Sequence, residues 1–425
     1  MLTQTFSAKN LLKLIRSYDI YRFNLGKNEK EVKERVDEIA ESILLPTFQF
    51  KTFFELTRKG KRVYAPSCIE DVLVLRKIND NLKRLYKLKQ NDRNTIVGQI
   101  ITLLKEPLPK GVIKIDLSQF YESIPRSKII NKLHSDTLLS YYSKNFLVKL
   151  FNTSQFENFY GLPRGLCVNS TLSELYMRNF DQIIKQQEGV YYYARYVDDI
   201  VIITFQEPED IKSLVKIELE KLGLLINAGK SGVPISIECR CKKQCICDNN
   251  CKCQKTCKCK IDIKKRHTLE YLGYGFGIPD IPKISNSDIK IHLADKKVKR
   301  IKTRIVTAFI DYIRNNDFDL LDMRIRFLTG NHRIAHHSQR GNLKAGIYYS
   351  YQLLDDKTIL NELNLFLRKN IFSKKGKYGS NLNKLLTKDN KNKLKKYSFL
   401  AGFENPITHS FSGESVAKIK KCWEL

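Results

Sequence analysis

Up to about residue 50, apolar positions recur every three or four residues, as in "NEKEVKERVDEIAESIL". That spacing gathers them on one helix face, so this segment is predicted helical. Between 51 and 110 a basic stretch, "ELTRKGKRVYAP", places Lys59-Gly60-Lys61 between β-forming residues and predicts a hairpin tip. A helical pattern follows through "DNLKRLYKLKQNDRNTIVGQIITLLKE". "GVIKIDLSQFYESIP" then reads as an apolar strand ending at Asp116 and a helix start. "FYGLPRGLCVNSTLSELYMRNFDQII" is a Gly/Pro loop running into an amphipathic helix. "YYYARYVDDIVIIT" reads as strand, turn and strand, with the turn at Asp198-Asp199. "EPEDIKSLVKIELEKLGLLINAGKSG" gives a helix, a glycine stop, a short strand and a lysine. The order resembles a split βαβ, or ferredoxin-like, sheet, so the fold class is α+β.

The pattern breaks at 239–260, "CRCKKQCICDNNCKCQKTCKCK". The strand "LEYLGYGFGI" follows, and from about Asp295 to the end the chain is lysine-rich and helical in pattern. A separate, mostly helical domain is expected there. In the Cys-rich segment Cys239, Cys241, Cys245, Cys247, Cys251, Cys253, Cys257 and Cys259 form four Cys-x-Cys pairs at a six-residue repeat. Eight thiolates suit two tetrahedral zinc sites or a small shared-sulfur cluster. Iron–sulfur ligation and an unmetallated loop are the rival readings. The interleaved lysines could touch phosphates. Cys68, Cys167 and Cys422 read as ordinary thiols.

Charge narrows the partners. The net charge is +30, from 75 Lys+Arg against 45 Asp+Glu, which attracts polyanions and nucleic acid above all. No apolar run reaches the ~20 residues of a membrane span. The N-terminus shows no basic start, apolar core and small-residue cleavage site, so a cytoplasmic protein with reduced cysteines is expected.

Against that basic background three acids matter. Asp116 ends a strand, and Asp198 and Asp199 lie in the hairpin next to it in a split βαβ sheet. Converging carboxylates repel one another unless cations neutralise them. Mg²⁺ takes a few carboxylates plus substrate phosphates, and two such ions can activate a hydroxyl and stabilise a leaving pyrophosphate. The plainer reading is that Asp-Asp is a common turn pair.

The motifs around these acids decide between the two. "IKIDLSQFYESI", "GLPRGLCVNSTLSELYM", "YVDD", "LGLLINAGKS" and "LEYLGYGF" resemble, in order, the palm blocks of reverse transcriptases, and "KGKRVYAP" resembles their fingers motif. The resemblance covers roughly residues 50–277. It implies a right-hand polymerase: an N-terminal helical region at 1–50, fingers at 51–110, a ferredoxin-like palm at 111–277 and a helical basic thumb at 278–425. The Cys-rich insertion at 239–260 interrupts the palm. By the same resemblance Asp116 and Asp198 hold two Mg²⁺ ions, with Asp199 in support. Tyr121 gates against a ribose 2′-OH, and Lys230 donates a proton to pyrophosphate. Arg62, with Lys59 or Lys61, holds the triphosphate, and Tyr196 lies under the primer end. Tyr121 also reads as plain core, Lys230 as a solvated lysine, and the fingers basics as chance in a lysine-rich chain.

One block departs from the family pattern. Arg164 stands where the family carries a Gln, in a block that touches the template and the incoming base, and the usual Ser-Pro of the following helix is missing. No second acidic constellation follows Phe276, so no RNase H domain is expected. "RIRFLTGNHRI" with "AGIYYSYQLL" resembles bacterial defence-associated reverse transcriptases. "RIRFLTGNHRIAHHSQRGN" reads either as a reader of structured RNA or as an ordinary loop. The expected activity is RNA-directed DNA synthesis from dNTPs. The template is a dedicated non-coding RNA, the product is DNA, and a partner protein is possible. A template-independent or protein-primed nucleotidyl transferase, and an RNA-binding maturase-like protein, are the alternatives.

Overall fold

The computed structural model describes residues 3–58, 60–106, 108–237, 266–279, 289–334 and 343–424. Lys59 and the eight cysteines of the 239–260 insertion lie outside the described residues. The chain divides into two compact units, one of residues 1–96 and 109–237, the other of 97–108 and 238–425.

The first unit opens with three helices, α1 (Ala8–Leu12), α2 (Ser17–Phe23) and α3 (Glu29–Leu44). In α3 the Val32, Val36, Ile39, Ala40 and Ile43 stripe is buried, as its spacing predicts. Its first turn is closed from both directions. Asn28 accepts from the Glu31 N–H at 3.0 Å, and the Glu31 carboxylate accepts from the Lys27 N–H at 2.8 Å.

Strands β1 (Phe54–Arg58) and β2 (Lys61–Ala65) form the predicted hairpin, with Arg58 opposite Lys61. Gly60 in the tip has φ +70, a left-handed conformation that glycine adopts without a Cβ clash. Aromatic packing anchors the hairpin root: Tyr64 and Phe53 lie 4.9 and 5.1 Å from the Phe156 ring. Helix α4 (Ile69–Leu85) follows and is tied to α2 by Arg76, which grips the buried Asp19 with both terminal nitrogens, at 2.5 and 3.0 Å.

The long helical run expected after residue 80 is broken. Helix α4 stops at Leu85, Lys87 turns left-handed at φ +49, and α5 (Arg93–Lys105) restarts under an Asp92 cap that accepts from Thr95 N–H at 2.8 Å. Periodicity carries through the break because Leu85 and Leu88 both remain packed against the core.

The palm sheet has five strands: β3 (Lys110–Ser118), β4 (Val190–Tyr196), β5 (Asp199–Thr204), β6 (Leu225–Ile226) and β7 (Ile235–Ile237). Their order is β4-β5-β3-β6, with β7 also on β3, and every pair is antiparallel. Central strand β3 is buried along nearly its whole length. Ile113, Ile115, Ile200 and Ile202 are fully buried in the core, each worth about 1.5–3 kcal/mol. The connections run through α6 (Phe120–Ser123), α7 (Arg126–Ser135), α8 (Tyr141–Phe151) and α9 (Cys167–Gln186), then α10 (Pro208–Leu222) after β5. This is the split βαβ arrangement of a right-hand polymerase palm. Gly223 ends α10 at φ +77, as the glycine stop predicts.

The second unit carries the antiparallel sheet β8 (Arg266–Tyr271), β9 (Tyr274–Pro279) and β10 (Lys290–Leu293), in the order β10-β9-β8. Helices Asp295–Asn315, Phe318–Thr329, Thr358–Ile371 and Gly376–Leu385 and three shorter ones follow, in keeping with the helical pattern. A small sheet, β12 (Lys344–Gly346), β11 (Asn331–Arg333) and β13 (Thr408–His409), was not expected. Its strands are two or three residues long and pair across up to 77 positions, so they leave no periodic trace. Among the described residues no helix is long and apolar enough to cross a membrane.

Candidate active site

The acids meet at one end of the palm sheet. Asp116 lies inside β3 rather than at its end, two residues before the strand stops at Ser118. Directly opposite it in the β3–β5 ladder is Asp199. The turn of the β4–β5 hairpin is Val197-Asp198, one residue earlier than expected, because Asp199 already pairs as the first residue of β5. The Asp198 carbonyl accepts from Leu117 N–H at 3.0 Å, which fastens the turn to β3.

Val197 has φ +61, an unfavourable conformation for a β-branched residue. What holds it is Arg195, a residue that reads in the sequence as one more basic position. All five of its N–H donors are engaged. Nε reaches Asp181 Oδ1 at 2.8 Å, and Nη2 reaches Asp181 Oδ2 at 2.8 Å and Glu174 Oε2 at 2.7 Å. Nη1 donates to Glu174 Oε1 and to the Val197 carbonyl, both at 3.0 Å. Tyr193 adds a hydroxyl bond to Asp181 at 2.6 Å. Two carboxylates of α9 thus hold a buried guanidinium against the carbonyl of the strained turn.

Electrostatically the acids want a cation. Burial, then the Asp198 charge, lifts the Asp199 carboxyl to about 6. Burial and then the charge of Asp116 raise Asp198. Lys230 supplies one positive group, its Nζ 3.2 Å from Asp116 Oδ1 while the side chain stays 56% exposed. The loop carrying it is pinned to the same strand. Asn227 N–H donates to the Asp116 carbonyl at 2.8 Å, and Asp116 N–H donates to Ser231 Oγ at 3.0 Å.

Among the described residues no group of three or more His, Cys, Asp and Glu side chains closes into a metal site. The donor set still fits Mg²⁺, which is commonly held by one or two carboxylates with substrate phosphates completing its shell. Asp116, Asp198 and Asp199 are the residues that would hold it, and the ion would polarise phosphate oxygens and neutralise developing charge there.

Tyr121 stands beside the acids on α6, partly exposed. Burial lifts its hydroxyl, and its neighbours include Ser173, Asp198 and Glu174. Arg164 lays its guanidinium over the Tyr121 ring, 5.3 Å from the centroid. Glu122 grips the same guanidinium with both carboxylate oxygens, at 2.5 and 2.9 Å. The hairpin contributes Lys61, whose charge is felt at Glu122. Arg62 is paired instead with Glu55 on the neighbouring strand, at 3.4 Å, with both side chains largely exposed. Tyr196 ends β4 opposite Asp199. Neither Arg195 nor Glu122 was expected. Only folded contacts, Arg195 with Asp181 and Glu174 and Glu122 with Arg164, show their part in the site.

The family match agrees with this geometry. Residues 67–276 match the family described as reverse transcriptase (RNA-dependent DNA polymerase). No curated protein matches the chain. Among the solved structures, apo telomerase from Candida tropicalis, truncated from its C-terminal domain, is similar at 15% identity with a TM-score of 0.37. The match covers 59% of this chain and 56% of that one. The stretch that matches this reverse transcriptase family, residues 67–276, holds the palm blocks in family order, with their acids gathered at one sheet end.

Proposed function

We propose that the whole protein is an RNA-directed DNA polymerase that extends a primer with dNTPs along an RNA template. The observation that carries this is the convergence of Asp116, Asp198 and Asp199, with Lys230 at Asp116, inside a matched reverse transcriptase domain. Asp116 and Asp198 hold two Mg²⁺ ions with Asp199 in support. Lys230, on a flexible stem beside them, gives its proton to the leaving pyrophosphate. Tyr121 screens the sugar, Arg164 lines the same side of the site, and Tyr196 supports the primer end. Arg62, with Lys59 or Lys61, takes the triphosphate.

Three finer assignments rest on sequence. The "RIRFLTGNHRI" and "AGIYYSYQLL" stretches support bacterial antiphage defence with a dedicated non-coding RNA. The four Cys-x-Cys pairs support two zinc ions in the insertion, where RNA or a partner protein docks. The eight closely spaced thiols, which suit metal binding in a reducing compartment, support a cytoplasmic site of action.

A template-independent nucleotidyl transferase on the same palm is the second reading. It is favoured by Arg164, which replaces the Gln of a template-touching block and whose guanidinium is committed to Glu122. Primer extension with and without RNA template separates them. Product whose sequence follows the template supports the first reading, and equal synthesis without template supports the second.

A further inference from the structure

Arg164 is fixed at every level. Its carbonyl accepts from Tyr64 N–H at 2.7 Å, so the backbone of its loop is tied to strand β2. The next residue, Gly165, has φ +100, and a Cβ there would stand 2.3 Å from the Tyr64 carbonyl oxygen. At the other end of the loop Leu162 N–H donates to the Tyr121 carbonyl at 2.8 Å. A Cβ on Gly161 would meet the Glu122 carbonyl oxygen at 2.1 Å. Loop 161–165 and helix α6 are therefore in backbone contact, and Arg164 closes the gap between them with its side chain.

Two neighbouring residues of α6 share that side chain. Glu122 takes the guanidinium in a bidentate pair, and Tyr121 offers its ring face. A bidentate carboxylate fixes the plane of a guanidinium as well as its position. The ring face attracts the cation that is held there. The orientation of the Tyr121 ring is thus set by a partner that Glu122 holds in place.

We infer that Glu122 is a positioning residue for sugar selection: by fixing Arg164 over Tyr121 it sets how sharply the site rejects a ribonucleotide. Arg164 serves here as the brace of the gate. The proposal rests on the polymerase reading and on Tyr121 as the gate.

The test measures kcat/KM for a dNTP and the matching rNTP on one primer and RNA template. The proteins are the wild type, Glu122→Gln, Arg164→Gln, the double variant and Tyr121→Ala with and without Glu122→Gln. Glu122→Gln should lower the dNTP-over-rNTP ratio about fivefold, the size of one lost cation–π contact. The double variant should lose no more than the larger single loss, and Glu122→Gln should change nothing further in the Tyr121→Ala background. Should Glu122→Gln fail to fold, Arg164→Lys keeps the charge and loses the fork, and the same loss is expected of it. An unchanged ratio, or losses that simply add in the double variant, would overturn this proposal alone. No incorporation by the wild type would overturn the polymerase reading and this proposal with it.

Discussion

At the scale of single residues, the Val197-Asp198 turn depends on the buried charge of Arg195. Arg195 neutralises Glu174 and Asp181 and holds the Val197 carbonyl. Removing one partner of a buried ion pair leaves the other uncompensated and costs about 3–5 kcal/mol. Arg195→Gln should therefore lower the melting temperature markedly, while Glu174→Gln, which leaves Asp181 in place, should cost less. Thermal unfolding of the two variants checks the order. Lys230 makes a different prediction, because it is half-exposed and pairs with Asp116. Lys230→Leu should slow the single-turnover rate at least about tenfold, as loss of a general acid does. An unchanged rate would return the lysine to the surface. The acids were legible in the sequence because two carboxylates in an apolar hairpin are anomalous. Arg195 and Glu122 were not, since a lone Arg or Glu is unremarkable until folding shows its partners.

Secondary structure elements were legible in proportion to their length and regularity. The stripe of α3, the buried strand β3 and the glycine-stopped α10 all follow from spacing. The α4–α5 break and the β11–β12–β13 sheet do not, because one is a local backbone turn and the other is built from non-local pairs of very short strands. That sheet changes the reading of the "NHR" stretch. His332 lies in β11 and stacks on Phe327 with ring centroids 4.1 Å apart. This position is a packing one, although the histidines at 336 and 337 lie outside the described residues. Burial, then the charges of Lys420 and His409, push the His332 imidazole down to about 4. A folded-state value below the unfolded one means the unfolded chain binds the proton first. The stabilising effect is thus full above about 6.5 and is lost as pH falls towards 4. With its partial exposure the loss should be about 2 kcal/mol. His332→Phe should flatten the stability profile between those limits, and equal acid sensitivity in the variant would contradict the assignment. The Cys-x-Cys insertion carries its own expectation. Elemental analysis should find about two zinc ions per chain. Serine at Cys245, Cys247, Cys251 and Cys253 should lower that content and weaken RNA or partner binding while extension on an artificial template persists. Iron with visible absorbance would point to a cluster instead.

For the whole molecule, a net charge of +30 and a sheet end lined with acids have complementary roles. In the proposed function the positive charge would hold polyanionic nucleic acid largely without regard to sequence, and the acids would take the metal ions that chemistry on phosphates needs. Binding and chemistry should then separate cleanly in one variant. The most direct measurement is primer extension on an RNA template with dNTPs and Mg²⁺, run beside an RNA-binding titration at fixed salt, for the wild type and Asp198→Asn. The account predicts template-directed DNA from the wild type, none from Asp198→Asn, and RNA affinity within about twofold between them. Near-normal DNA synthesis by Asp198→Asn would contradict it.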